Sequence, residues 1–345
     1  MTNYLVRRFV LAFFTIWAIS LLSFFIIQLP ENTVLEQFIE LAKQGELGGG
    51  DSEEQEKRLK EYMGIDKPIH IRYIDWVWPM IRHGELGLSF EIFNFFHERT
   101  VKEMIGDRIF TTIALTLFTA LITWTLSIPI GIYSAVRQHS IGDYVFTFIG
   151  FTGLAVPDFL LGLLLMYFAY AYFEQSVGGL LSADFLEVAW FSDGSPNWAK
   201  VKDLIDHLWI PAIVLGTSGT ASLIRVMRNN LLDELNKPYV ITAVAKGLSP
   251  WRVILKYPVR VAINPLVSTV GYLLPALISG SIIVSEVLSL PTLGPTLLKA
   301  ILRTDMHLAA FIILMMGVLT VVGTLLSDIL LGIIDPRIKL VSRSE

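Results

Sequence analysis

The stretch that decides the fold runs from Tyr239 to Pro265, YVITAVAKGLSPWRVILKYPVRVAINP. It lies between two strongly apolar segments, yet it is basic and compatible with helix. Lys237 stands just before it, and Lys246, Arg252, Lys256 and Arg260 fall within it. Gly247 breaks it in the middle, and Ser249-Pro250 reads as a cap with proline at the first turn of a second helix. A helix, a glycine turn and a helix, held on a loop between membrane spans, make a knob that another protein can grip. Such a knob suits a membrane part that receives motion from a separate cytoplasmic part.

The composition around it agrees. Of 345 residues 53% are hydrophobic, and the mean hydropathy is +0.59, a value of membrane proteins rather than soluble domains. The formal charge of −4 is too small to point to a nucleic-acid partner. No cysteine is present, which excludes disulfides and thiol chemistry without placing the compartment. Six histidines are scattered without metal-ligand spacing. Arg7-Arg8 precede an apolar run from Phe9 to Leu29, roughly 20 residues, long enough to span the hydrocarbon. A cleaved signal peptide has a shorter apolar core and small residues at its cleavage site, so an uncleaved first span is expected.

Five further apolar segments follow, at about Phe110–Ala135, Tyr144–Phe173, Leu208–Val226, Val267–Val287 and Met306–Ile334. The fourth is short and rich in small and hydroxyl residues, Gly216 to Ser222. Two readings stand for it: close helix packing through small residues, or a polar path lined by Thr217, Ser218, Thr220 and Ser222. Loop charges set the orientation. With the N-terminus in the cytoplasm, the inside segments carry Arg7, Arg8, Arg137, the basic 225–260 group, Arg337, Lys339 and Arg343. The 174–207 loop carries mainly acids and falls outside. The expectation is an all-α membrane protein of six transmembrane helices with both termini cytoplasmic. Its divisions are a first helix over 1–29, an extracytoplasmic insertion over 30–108, a five-helix core over 109–335 with a cytoplasmic loop at 229–262, and a tail over 336–345. Within the insertion, Ile69 to Ile81 gathers aromatic residues on one face and suits the membrane interface.

Several chemistries are missing. There is no G-x-x-x-x-G-K-[ST] run, hence no phosphate-cradling loop, and no H-E-x-x-H or nucleophile elbow. No catalytic residue, metal ligand or cofactor-binding residue is expected. Asp158, Glu286 and Asp328 are the acids counted in or near spans. An intramembrane acid raises the question of a proton relay, against a structural bond between helices. Asp158 follows Pro157, so its helix is expected to break there; Asp328 is the deepest.

Taken together, the motifs resemble the first of two permease subunits of bacterial and archaeal ABC importers for dipeptides, oligopeptides and nickel. The resemblance covers nearly the whole chain. It rests on the opening YLVRRFVLAFFTIWAISLLSFFIIQL, MGIDKPIHIRYIDWV with GELGLSF, SIPIGIYSA, VPDFLLGLLL, SEVLSLPTLGPTLLKAILRTD and DILLGIIDPRIKL. The cytoplasmic loop is similar to a permease motif of Glu-Ala-Ala, three residues, then Gly, with Gly247 as the glycine and Ile241-Thr242-Ala243 in place of Glu-Ala-Ala. Only Ala243 is kept, as in the peptide branch of the family. A second departure is Thr292 after Pro291, where the family has glycine.

The resemblance implies a type I ABC importer half-pore in the bacterial or archaeal cytoplasmic membrane. Its partners would be a homologous second permease, two ATPase subunits, an external substrate-binding protein and the lipid bilayer, with no nucleic acid. Thr242, Ala243, Ala245, Lys246, Gly247, Leu248 and Ser249 would couple to an ATPase. Pro291 and Gly294 would belong to an outer-loop gate. ATP hydrolysis would lie on the partners, so the chain itself is expected not to be an enzyme. The competing readings are import of oligosaccharides or nickel chelates by the same architecture, and an ion-coupled secondary transporter.

Overall fold

A segment immersed in hydrocarbon must satisfy its own backbone N–H and C=O groups, and a helix does so within one stretch of chain. The computed structural model describes residues 2–28, 67–86, 100–173, 178–185, 188, 190–192, 195–269, 282–303 and 305–334. Its long helices are α1 (Thr2–Gln28), α2 (Ile69–His83), α3 (Val101–Val136), α4 (Ile141–Ala155), α5 (Asp158–Phe173) and α6 (Trp198–Leu235). Short helices follow: α7 (Pro238–Ala245), α8 (Pro250–Lys256), α9 (Pro258–Ala262), α10 (Asn264–Ser268) and α11 (Ile282–Val287). The chain then forms α12 (Leu293–Leu302) and α13 (Met306–Ile334). Among the described residues the only sheet is a two-residue hairpin, Phe191–Ser192 against Ser195–Pro196.

Four of these helices, α1, α3, α6 and α13, contain a run long and apolar enough to cross a bilayer. Helices α4 and α5 pass the same test only together, and they meet at a bend of 103°. The cause is local. Pro157 lacks an N–H, and the residue before a proline is pushed out of helical conformation. Val156 accordingly sits at φ −82° and ψ 125°. The expected third span is therefore a broken one. Most of the expected fifth span, residues 270–281, lies outside the described residues.

Several helix boundaries differ from the expected spans. The helix of the second span begins at Val101, and its apolar run at Met104, rather than near Phe110. The fourth is a 38-residue helix, so residues 198–207, expected in an outer loop, are helical. Its charges escape cost by turning toward the preceding loop. Buried Lys200 donates Nζ–H to the Val188 carbonyl and lies 4.4 Å over the Trp190 ring. Asp203 accepts from the Ser182 amide at 2.8 Å and from its hydroxyl at 2.5 Å.

The chain divides into two compact units, the first of Met1–Phe9, Thr111–Pro291 and Val322–Glu345, the second of Val10–Phe110 and Thr292–Val321. The axis of the first unit is α6. Its glycine-rich stretch lets two neighbours approach closely. A methyl built on Gly216 would lie 3.0 Å from Thr123 Oγ1 of α3, and one built on Gly131 of α3 would lie 2.7 Å from Met227 Cβ. Position therefore advances in the same direction on both helices, so α3 and α6 are parallel. On another face, Gly153 of α4 meets Thr217 and Gly150 meets Ala221. There the order reverses, so α4 is antiparallel to α6. Two parallel spans need an odd number of crossings between them, which counts α4 and α5 as one broken span. Apolar clusters seal this unit: Leu204, Leu208 and Val214 with Leu115, Ala169 and Leu288, and, further along α6, Met227 and Leu231 with Ala135, Ala262 and Leu266.

In the second unit, α2 packs its aromatic face onto the first span. Tyr73 and Trp76 lie 5.5 and 6.0 Å from the Phe24 ring, and Tyr73 shares a 2.6 Å hydroxyl bond with Ser20. Ile69, Ile74, Trp78 and Ile81 remain exposed along α2.

Candidate functional site

The knob foreseen between Tyr239 and Pro265 is present in the first unit. Pro238 and Pro250 occupy the first turns of α7 and α8, where a missing N–H costs nothing. Ser249 holds the cap position of α8 without a side-chain bond to the helix. Between the helices Gly247 has φ +75°, a left-handed conformation that glycine adopts freely, and its N–H donates to the Val244 carbonyl at 2.9 Å. The two helices close on a small core of Val240, Ala243 and Val253, against which Tyr239, Leu248 and Tyr257 pack. Ala243 and Leu248 therefore hold the knob together from inside. Thr242, Ala245, Lys246, Gly247 and Ser249 face out, with the Thr242 hydroxyl bonded back to the Pro238 carbonyl at 2.8 Å.

Gly247 breaks the stretch as the sequence implies, and its positive φ is what favours glycine at this position. A methyl there would meet nothing within 4 Å. The constraint inside this chain is the left-handed backbone, not space. A further feature was not foreseen. Ile241, Val244, Trp251 and Leu255 are each more than half exposed on the knob. Their i, i+3 and i, i+4 spacings were visible in the sequence as one apolar face per helix. Four large apolar side chains beside Lys246, Arg252 and Lys256 form a patch of the kind that marks a protein contact.

Along α6 the proposed path residues divide. Thr217 packs onto α4 at Gly153 and bonds the Ile213 carbonyl at 2.5 Å. Ser218 and Thr220 are half-buried, and Ser222 is exposed. Gly216 and Gly219 approach Thr123 of α3. Helix α3 itself carries buried hydroxyls at Thr112, Thr116, Thr119, Thr123, Ser127 and Ser134. Their spacings of three, four and seven lie among the apolar residues of that span in the sequence. At the outer-loop positions, the Pro291 carbonyl accepts from Thr111 Oγ1 at 2.7 Å in the first unit. In the second unit Gly294 is buried in α12, where Thr296 Oγ1 accepts from Arg108 at 3.1 Å and donates to the Thr292 carbonyl at 3.0 Å.

Of the three acids counted in or near spans, Asp328 is held by an ion pair. Asp328, 8% exposed, pairs with Arg8 at 3.1 Å, tying α13 to α1 within the first unit. Glu286 is exposed and Asp158 starts α5. Asp143 lies one residue before the expected start of the third span at Tyr144. Helix α4 begins at Ile141, so Asp143 is buried in its first turn, where Arg228 of α6 binds both carboxylate oxygens at 3.2 and 3.1 Å. Among the described residues no group of three or more His, Asp or Glu side chains is arranged to hold a metal.

Residues 127–340, which hold the broken span, α6 and the knob, match the family described as binding-protein-dependent transport system inner membrane component. The chain belongs to that family. Related proteins run its full length. It is 31% identical to the oligopeptide transport system permease protein AppB of Bacillus subtilis, over 98% of this chain and 100% of that protein. It is 29% identical to the dipeptide transport system permease protein DppB of Escherichia coli K12, over 98% and 99%. The peptidoglycan transport system permease protein YejB of Agrobacterium fabrum is 30% identical over 98% of each chain. The protein is thus a multi-pass, mostly helical membrane permease of an ABC transport system.

Proposed function

We propose that this permease forms half of the pore of an ATP-driven peptide importer. A homologous second permease completes the pore, two ATPase subunits bind from the cytoplasm, and an external binding protein delivers the peptide. The termini and the knob lie in the cytoplasm, and the 30–108 segment and the loop before Trp198 lie outside. The observation that carries the reading is the knob: two short helices, internally packed around Ala243 and Val253, presenting exposed Ile241, Val244, Trp251 and Leu255. A rigid, apolar-faced projection rimmed by lysine and arginine fits insertion into a groove on an ATPase, and rigid packing passes displacement on without absorbing it. Thr242, Ala245, Lys246 and Ser249 belong to the docking side, while Ala243, Gly247 and Leu248 set its shape. A peptide substrate is supported by the names of the full-length relatives, for oligopeptides and dipeptides.

The pore reading for α6 narrows to Ser218 and Ser222, since Thr217 is spent on packing against Gly153 and Thr220 falls between the faces turned to α3 and α4. Weak hydroxyl groups without charge suit passage of chemically varied peptides. The match to the binding-protein-dependent transport family weighs against an ion-coupled carrier.

The test is uptake by proteoliposomes holding the complete complex and its binding protein. Peptide accumulation that requires ATP and survives an uncoupler is the expected result. Uptake driven by a proton gradient without ATP would overturn the importer reading. A nickel chelate or oligosaccharide co-purifying with the binding protein, in place of a peptide, would overturn the substrate.

A further inference from the structure

We propose that the Asp143–Arg228 pair is the link through which the knob moves the broken span. The inference rests on the coupling role proposed above. Asp143 is 3% exposed, and each of its carboxylate oxygens is engaged. Arg228 Nε–H donates to Oδ1 at 3.2 Å and Nη2–H to Oδ2 at 3.1 Å. The His139 amide donates to Oδ2 at 3.0 Å, and the Asp143 amide donates to Ser140 Oγ at 3.2 Å. One carboxylate thus holds the turn between α3 and α4, where His139 has φ +63°, to the side of α6.

Position gives the pair its consequence. Helix α6 is unbroken from Arg228 to Leu235, and α7 begins at Pro238. At about 1.5 Å per residue, Arg228 lies roughly 10 Å up the same helix from its cytoplasmic end. A displacement of the knob that tilts or slides α6 therefore reaches Arg228 directly. Two other α4–α6 contacts are smooth: Gly150 on Ala221, and Gly153 on Thr217. Glycine against a small side chain lets helices shear past each other. A bidentate guanidinium–carboxylate pair does not slide; it carries its partner or breaks. The Arg225 guanidinium, 4.9 Å over the Phe151 ring, adds an attachment on the same side of α6. Force on α4 arrives at its first turn, and its other end is the 103° bend. The bend is the compliant point at which that force would change the shape of the span.

The reading of Arg228 as a cation that only holds its loop on the inside makes a different prediction. Any cation would serve there, and lysine would replace it. A positioning role needs the fork, which lysine lacks.

The experiment uses the full complex in proteoliposomes and counts ATP hydrolysed per peptide delivered. Asp143→Asn and Arg228→Lys are each expected to raise that ratio at least fivefold, with hydrolysis within twofold of native. The exchange Asp143→Arg with Arg228→Asp is expected to recover part of the loss. A second readout needs no substrate: the labelling rate of Tyr144→Cys, exposed on the first turn of α4, should change on adding ATP. That change should vanish with Arg228→Lys. An unchanged ratio in both single variants, or an ATP-dependent labelling change that persists in Arg228→Lys, overturns the link. Transport and hydrolysis falling together in every variant, the exchange included, overturns it in favour of a folding contact. A native complex that hydrolyses ATP but carries no peptide refutes the substrate reading alone, because the labelling still reports the link.

Discussion

Replacing Gly247 by a graded series separates backbone demand from contact with a partner. Its φ of +75° costs an ordinary L-residue about 1 kcal/mol, while asparagine tolerates this region better and a β-branched residue worse. Beyond its two chain neighbours, no atom of the described residues lies within 4 Å of a Cβ at that position, so no packing penalty adds to it. Gly247→Asn should therefore leave the knob nearly intact. Gly247→Ala should lower its folded population by a factor of roughly 5, and Gly247→Val by more. The knob's own order is read by amide exchange across 238–256, and docking by co-purification of the ATPase subunits. If docking needs only the turn, the two measurements follow the same ranking. Valine with native protection would refute the claim that the turn requires a left-handed residue. Asparagine with native protection but no bound ATPase would move the cause from the backbone to the partner's surface.

Three further outcomes are expected. Ala243→Leu overfills the core of Val240, Ala243 and Val253 and should cost the knob about 1–3 kcal/mol, measured as lost exchange protection and lost ATPase binding; native values for both would place Ala243 outside the packing. In this cysteine-free chain, single cysteines at Gly49 and Ser192 should label with an impermeant reagent in intact cells and one at Ser342 should not; the reverse pattern would invert the topology. Cysteines at Ser218 and Ser222 should react with a small water-soluble thiol reagent at some stage of the ATP cycle, and those at Gly216, Thr217, Thr220 and Ala221 should stay protected; uniform silence would make the whole span a packing surface.

Much of the architecture was legible because hydrocarbon imposes long apolar helices and loops reveal themselves by charge. Pro157 announced the break in the third span, and Gly247 with Pro250 announced the knob. Helix ends were less legible. Hydropathy marks where apolar residues stop, not where the backbone does, and α6 continues through Lys200, Asp203 and Asp206 because tertiary partners take up Lys200 and Asp203. The Asp143–Arg228 pair escaped for a related reason. The two residues are 85 apart, each sits at a span end where charge is ordinary, and only the antiparallel packing of α4 and α6 makes them neighbours. The small residues of α6 offered packing and path as rival readings because composition does not say which way a side chain points.

The structure divides those readings by face. A helix repeats every 3.6 residues, so seven consecutive positions from Gly216 to Ser222 go around it nearly twice. Gly216 and Gly219 point to α3, and Thr217 and Ala221 point to α4. Thr220 falls between those two directions, while Ser218 and, one turn on, exposed Ser222 point away from both. Close packing thus consumes two faces and leaves a third, hydroxyl-bearing one. That division changes how the span should be probed. Thr217→Trp would wedge α4 from α6, because a methyl on Gly153 alone would already come within 2.6 Å of Thr217. A transport defect in that variant would report a damaged fold, with Asp143 and Arg228 pulled apart as well. Ser222→Trp places its bulk on the free face. A block of transport there, with ATP hydrolysis and assembly kept, is the form of evidence that separates a lining residue from a packing one.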